Sequence, residues 1–146
     1  YTNAQGALWF VLFTGAMTLG RVLGVPLIDR FGRVPILFAS ASAALAGLSV
    51  VILIDNLVIA AIAVVAWGLG SSLGFPVAMS AAADDPDRGP ARVSAVATIA
   101  YGAFLIGPPL IGGLAELSSI LTALWVVAAV IAIGLLATPA TKKPEA

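Results

Sequence analysis

The chain is five apolar runs of about twenty residues each, joined by short polar breaks. An apolar helix needs about twenty residues to cross a hydrocarbon core about 30 Å thick. The pattern predicts helices from Gly6 to Ile28, Val34 to Ile54, Leu57 to Ala82, Val93 to Leu114 and Ser119 to Ala137, with 138–146 as a tail. Barrel strands would be runs of about ten residues alternating in polarity, and no run alternates. In lipid, a helix satisfies its own backbone hydrogen bonds. The expected fold class is therefore an all-α integral membrane protein with five transmembrane helices.

Composition supports that class and closes off others. The chain is 61% hydrophobic and 10% charged, whereas soluble domains carry about 25% charged residues. Its formal net charge is zero, which gives no electrostatic case for nucleic acid. Histidine and cysteine are both absent, so thiolate chemistry, imidazole acid–base work and most transition-metal sites have no ligands or nucleophiles. No mid-span carboxylate pair replaces them. The expectation is a non-enzyme with no cofactor and no metal. The Ala, Gly and Val bias suggests a bacterial source.

The basic residues then orient the spans. Arg30 and Arg33 lie in the first break, Arg88 and Arg92 in the third, and Lys142 and Lys143 in the tail. The second break (Asp55, Asn56) and the fourth (Glu116 to Ser119) have none. Lys and Arg near span ends stay cytoplasmic. The alternation predicts an inner-membrane, multi-pass protein, with the N-terminal end of this chain outside and its C-terminus cytoplasmic. The seventh basic residue, Arg21, falls inside the first span, about 12 Å along the helix from Asp29. A guanidinium there costs at least about 2.5 kcal/mol, less whatever snorkelling recovers, so it should face protein or a wet cavity. Pairing with Asp29 or with carbonyls is its plainest structural role.

The most specific motif surrounds the first break. Gly24 ends the span, and Asp29, Arg30, Gly32 and Arg33 follow as a tight charged turn. Gly32 permits a backbone that other residues resist. The run resembles the loop signature of the major facilitator superfamily, G-x-x-x-D-R-x-G-R. Asp29, Arg30, Gly32 and Arg33 match it position for position, while Gly24 stands one residue further from Asp29 than in the signature. The resemblance implies a cytoplasmic gating role for this loop, in which ion pairs and helix-end contacts hold one state closed. The fourth span adds support. Its Gly107, Pro108, Pro109, Gly112 and Gly113 predict a helix kink, because proline removes a backbone hydrogen bond and crowds the preceding turn. This span resembles the eleventh helix of bacterial members. Its P-x-x-G-G also resembles the antiporter motif of the fifth helix, but Pro108 stands where that motif has Gly and the preceding span lacks the expected arginine.

On this resemblance the five spans correspond to the eighth to twelfth of twelve helices, part of the C-terminal six-helix bundle. The N-terminal half of the same transporter would be the missing partner. The expected function is secondary active transport of a small-molecule substrate across the cytoplasmic membrane by alternating access. The family places its cavity between eighth, tenth and eleventh helices, and the polar stripes fall on those spans. Thr14, Thr18 and Arg21 share one face, as do Ser94, Thr98 and Tyr101, while Trp67 and Ser71 lie mid-span in the third run. The candidate substrate-cavity residues are therefore Thr14, Thr18, Arg21, Trp67, Ser71, Thr98 and Tyr101. Small hydroxyl residues in membranes also bond their own backbone or a neighbouring helix. The alternative reading is a self-contained five-helix scaffold or assembly protein without transport activity.

Overall fold

The computed structural model describes residues 3–143, with side chains from residue 6 onward. Within them the chain is helical, with no strand: α1 (Asn3–Phe31), α2 (Arg33–Leu53), α3 (Leu57–Ser71), α4 (Gly74–Ala83), α5 (Gly89–Leu117) and α6 (Ile120–Leu136). A short 3-10 turn, Thr138–Thr141, follows. Four stretches are long and apolar enough to cross a membrane: 6–31, 33–53, 57–83 and 89–117. The fifth, α6, has 17 residues, at the lower limit of a span.

Helix ends follow local chemistry. Asn56 caps α3, its side-chain oxygen accepting from the backbone N–H groups of Val58 and Ile59 at 3.1 Å each. Ser119 caps α6 through the N–H of Thr122 at 3.1 Å. Helix α5 begins at Gly89 rather than the expected Val93, which leaves 84–88 as the connection. Pro90 explains the early start, since its fixed φ suits a first turn where its missing N–H costs nothing. Beyond α6, the tail does not fray at once. Thr138 is buried, and its hydroxyl donates to the Leu135 carbonyl at 2.9 Å. The last part of the expected tail, 144–146, lies outside the described residues.

The third span departs most from expectation. One helix was expected over 57–82, but Ser72 and Leu73 break it into α3 and α4. Pro76 supplies the reason: it has no N–H for the Ser72 carbonyl, and its ring crowds that carbonyl. Packing then holds the break in place. Ser72 and Leu73 are buried, with Ser72 against Gly20 of α1 and Leu73 against Gly24. Leu73 also joins Leu37 and Val77 in a small core, flanked by Ile28 and Ile36. Helix α5 behaves differently. It runs unbroken through Pro108 and Pro109, although both withhold backbone bonds from the preceding turn. Along that stretch the spaces beside Gly107, Gly112 and Gly113 are open.

Helix α2 is the hub of the described bundle, packing on α3, α6 and α1. Its approach to α3 is close enough to require glycine on both sides. A Cβ on Gly47 would lie 2.6 Å from the Ala63 carbonyl oxygen, and one on Gly70 would strike the backbone of Ala44 and Ser40. Such small-residue seams drive helix association where the surrounding lipid is as apolar as the side chains. Between α1 and α3, Phe13 and Trp67 pack edge to face with centroids 4.9 Å apart. Helix α5 packs on α4 and α6 and carries a largely exposed apolar face that includes Ile99, Phe104, Leu105 and Ile106.

Candidate functional site

The charged turn between α1 and α2 rests on one backbone angle. Gly32 adopts φ +87°, a left-handed conformation costly for any side chain with a Cβ. Its N–H still donates to the Ile28 carbonyl at 2.8 Å, closing α1. The chain then re-enters a helix at Arg33, and Pro35 falls in the first turn, where it breaks no bond.

That geometry sends Arg33 across to α4. Its guanidinium grips the Asp84 carboxylate with both terminal nitrogens, one of them to Oδ1 at 3.3 Å. The same nitrogen donates to Ser80 Oγ at 2.8 Å. Forked contacts of this kind are directional as well as charged. The two side chains are only 18% and 19% exposed, so water screens the pair weakly. Asp84 is the C-cap of α4. One side chain therefore ties the turn to the half-helix beyond the break. The partners stand 51 residues apart, which is why no local spacing pointed to Asp84 or Ser80.

The rest of the charged end is arranged around this fork. In the α4–α5 connection, Asp85 accepts from the backbone N–H of Arg88 at 2.9 Å and of Asp87 at 3.0 Å, and pairs with Arg92 at 3.4 Å. The Arg88 N–H above all, joined by that of Asp87 and the charge of Arg92, holds its carboxyl below the ordinary carboxylate range, against an opposing desolvation effect second only to the Arg88 bond. Arg30 lies over the Phe31 ring at 5.2 Å. Asp29 is exposed and forms no ion pair among the described residues. It borders a cavity of about 540 Å³ with Arg33, Lys142 and Lys143. The two basic breaks and the basic tail thus meet at one end of the bundle.

The candidate cavity residues do not converge on one site. Arg21 is exposed and does not pair with Asp29, although the two line a common cavity of about 260 Å³ with Leu73, Pro76 and Ser80. Its guanidinium makes a long contact, 3.7 Å, to Met17 Sδ. Thr14, Thr18 and Thr98 turn their hydroxyls back to the carbonyls of Phe10, Thr14 and Ser94, at 2.7, 2.9 and 2.8 Å. Trp67 is committed to Phe13. Ser71 borders a separate cavity of about 400 Å³ between α2, α4 and α6. Tyr101 is 76% exposed on α5.

The family model described as Major Facilitator Superfamily matches residues 1–146. This chain belongs to the major facilitator superfamily. It is 33% identical over 127 residues to an uncharacterized MFS-type transporter of Yersinia pestis, covering 86% of this chain and 33% of that protein. An uncharacterized transporter of Sinorhizobium fredii is 30% identical, with 97% of this chain and 38% of that protein covered. The membrane protein MosC of Rhizobium meliloti is 30% identical, with 79% and 28% covered. The chain thus spans about a third of the length of these relatives. No solved structure matches it. The charged turn at Asp29, Arg30, Gly32 and Arg33 is the turn from which the Arg33 fork is built.

Proposed function

We propose that this chain is part of a secondary carrier that moves a small solute across a bacterial cytoplasmic membrane by alternating access. Membership of the superfamily carries the reading, and its relatives bear transporter names. The five spans stand as the eighth to twelfth helices, and the rest of the carrier supplies the opposing wall. The end bearing Arg30, Arg33, Arg88, Arg92, Lys142 and Lys143 faces the cytoplasm. The Arg33 fork onto Asp84 and Ser80 supports a gating role for the turn, because it fixes α4 against α1 and α2. Asp29, exposed at the same end, is placed to meet the opposing half when that side closes.

The solute lies near the midplane, between the halves. Arg21 and Tyr101 are the foremost residues for it, since both side chains are exposed on this chain's surface. Thr14, Thr18 and Thr98 shape the wall with hydroxyls already engaged by their own helices. Trp67 and Ser71 act behind it, as packing.

The test uses the full-length carrier with Tyr101→Cys as its added thiol. This chain has no cysteine of its own. A membrane-impermeant maleimide is applied from each side, with and without a panel of candidate solutes. Alternating access is expected to give labelling from either side that a transported solute shifts in opposite directions. Labelling from neither side, or labelling blind to every solute that crosses, would sink the assignment.

A further inference from the structure

Arg21 lies deep in the first span, about 12 Å along α1 from Asp29. The middle of a hydrocarbon core is about 15 Å from its surface. The close seats of Gly20 against Ser72 and of Gly24 against Leu73 fix this stretch of α1 beside the α3–α4 break. A long basic side chain buried in a membrane ordinarily snorkels to the nearer surface. Arg21 leans the other way. Its guanidinium points back one turn to Met17 Sδ, away from Asp29. A thioether sulfur is a weak acceptor and carries no charge. Arg21 forms no ion pair among the described residues, so its charge stands uncompensated inside the span.

The cavity of about 260 Å³ beside it has mostly apolar walls, among them Val25, Leu73, Pro76 and Val77. Its other polar groups are already provided for. Arg33 is held by Asp84 and donates to Ser80. Asp29 is exposed at the surface end, where a carboxylate loses little by going unpaired. The unmet demand is therefore at the deep end, and it is for an anion. Pockets for drug-sized ligands run to roughly 300–1,000 Å³. This one is smaller, which limits its occupant to a small molecule.

We propose that the carrier's solute is a small organic anion, with one carboxylate held by the Arg21 guanidinium and a compact apolar body against Leu73, Pro76 and Val77. The inference rests on the carrier reading above and adds the class of solute to it. Two parallel N–H···O bonds from a guanidinium match a carboxylate in shape as well as charge. The apolar walls select against a body rich in hydroxyls, such as a sugar, because each buried hydroxyl without a partner is costly. Intramembrane charges pair with one another or mark the path of a substrate, and the described residues give Arg21 no carboxylate to pair with.

The experiment is equilibrium binding to the purified full-length carrier in non-ionic detergent, with phenylacetate, 2-phenylethanol and phenethylammonium as probes. The three share a ring and differ in head group: anionic, neutral and cationic. The wild type should prefer phenylacetate. Arg21→Gln should weaken phenylacetate binding by about 10- to 100-fold, the worth of a hydrogen bond to a charged group, and leave the alcohol nearly unchanged. Arg21→Lys should keep the preference at lower affinity. Val25→Trp, which fills the cavity with Arg21 intact, should also weaken phenylacetate. Arg88→Gln removes an exposed surface cation and should change nothing. Equal binding of the three probes by the wild type would overturn the proposal; an acidic side chain elsewhere in the carrier, already paired with Arg21, would give that result. An anion preference that survives Arg21→Gln would overturn it too. Phenylacetate should shift the two-sided labelling of Tyr101→Cys, and binding without that shift would place the anion off the transport path and sink the solute class. Labelling that shifts with other solutes while no anion is preferred would overturn this class alone and leave the carrier reading standing. Labelling from neither side would remove the carrier reading, and this inference with it.

Discussion

Removing the Asp84 charge tests whether one ion pair holds α4 against the turn. Asp84→Asn leaves Arg33 its bond to Ser80 but takes away the carboxylate that both terminal nitrogens reach. A fully exposed pair would contribute about 0.2–1 kcal/mol. Stranding one partner of a fully buried pair costs about 3–5 kcal/mol. With both side chains about four-fifths buried, the fork falls between, at about 2 kcal/mol. That energy corresponds to about a 30-fold change in the balance between clamped and released arrangements. Spin labels at Arg30→Cys and Asp87→Cys of the full-length carrier report it, since both positions are exposed and neither belongs to the pair. The distance distribution should gain a longer population in Asp84→Asn. Reversing the charges, Arg33→Asp with Asp84→Arg, should recover much of the short one. Additive effects of the Arg33 and Asp84 changes would show the two groups uncoupled and refute the reasoning. A distribution unchanged by Asp84→Asn would do the same.

Other outcomes follow from the same geometry. Pro76→Ala restores a donor for the Ser72 carbonyl, so α3 and α4 should tend to join; hydrogen exchange should show new amide protection near residue 76, and the spin-label distances should shift as in Asp84→Asn, because α4 carries both Ser80 and Asp84. Gly70→Ala places a carbon on the α2 backbone and should destabilise the carrier by about 1–3 kcal/mol in detergent melts, while Gly134→Ala, with open space around it, should change little. If the two melt alike, the seam between α2 and α3 is looser than described. Asp85 has a depressed carboxyl, so its contribution is fully present above the ordinary value of about 3.9 and is lost only as pH falls through the lower folded value. An NMR titration should therefore place its midpoint below that of an unstructured Asp, and a midpoint at or above it would contradict the loop geometry.

The charged motif illustrates how far a local pattern reaches. Asp29 to Arg33 was legible as a tight turn, and Gly32 does take the left-handed angle. What Arg33 grips was not legible, because Asp84 and Ser80 are brought to it only when α4 packs back on α1 and α2. The break at Ser72 had a sequence cause in Pro76, yet paired prolines in α5 leave that helix whole. The difference is tertiary, since Leu73 has a buried seat against Gly24 while the spaces beside Gly107, Gly112 and Gly113, next to the α5 prolines, are open.

Hydrophobic length and the need to satisfy every backbone group in lipid determined, from sequence alone, that this chain is a set of membrane helices. The alternation of basic breaks also marked which segments belong together, and the structure gathers the two basic breaks and the tail at one end. Those are one-dimensional properties, written in run length and charge order. Which side chains meet was decided only in three dimensions. The Thr14, Thr18 and Thr98 hydroxyls turned to their own helices, and Ser71 faced a different cavity from Arg21. Helical periodicity places a residue on a face, but the packing of neighbouring helices decides what that face touches.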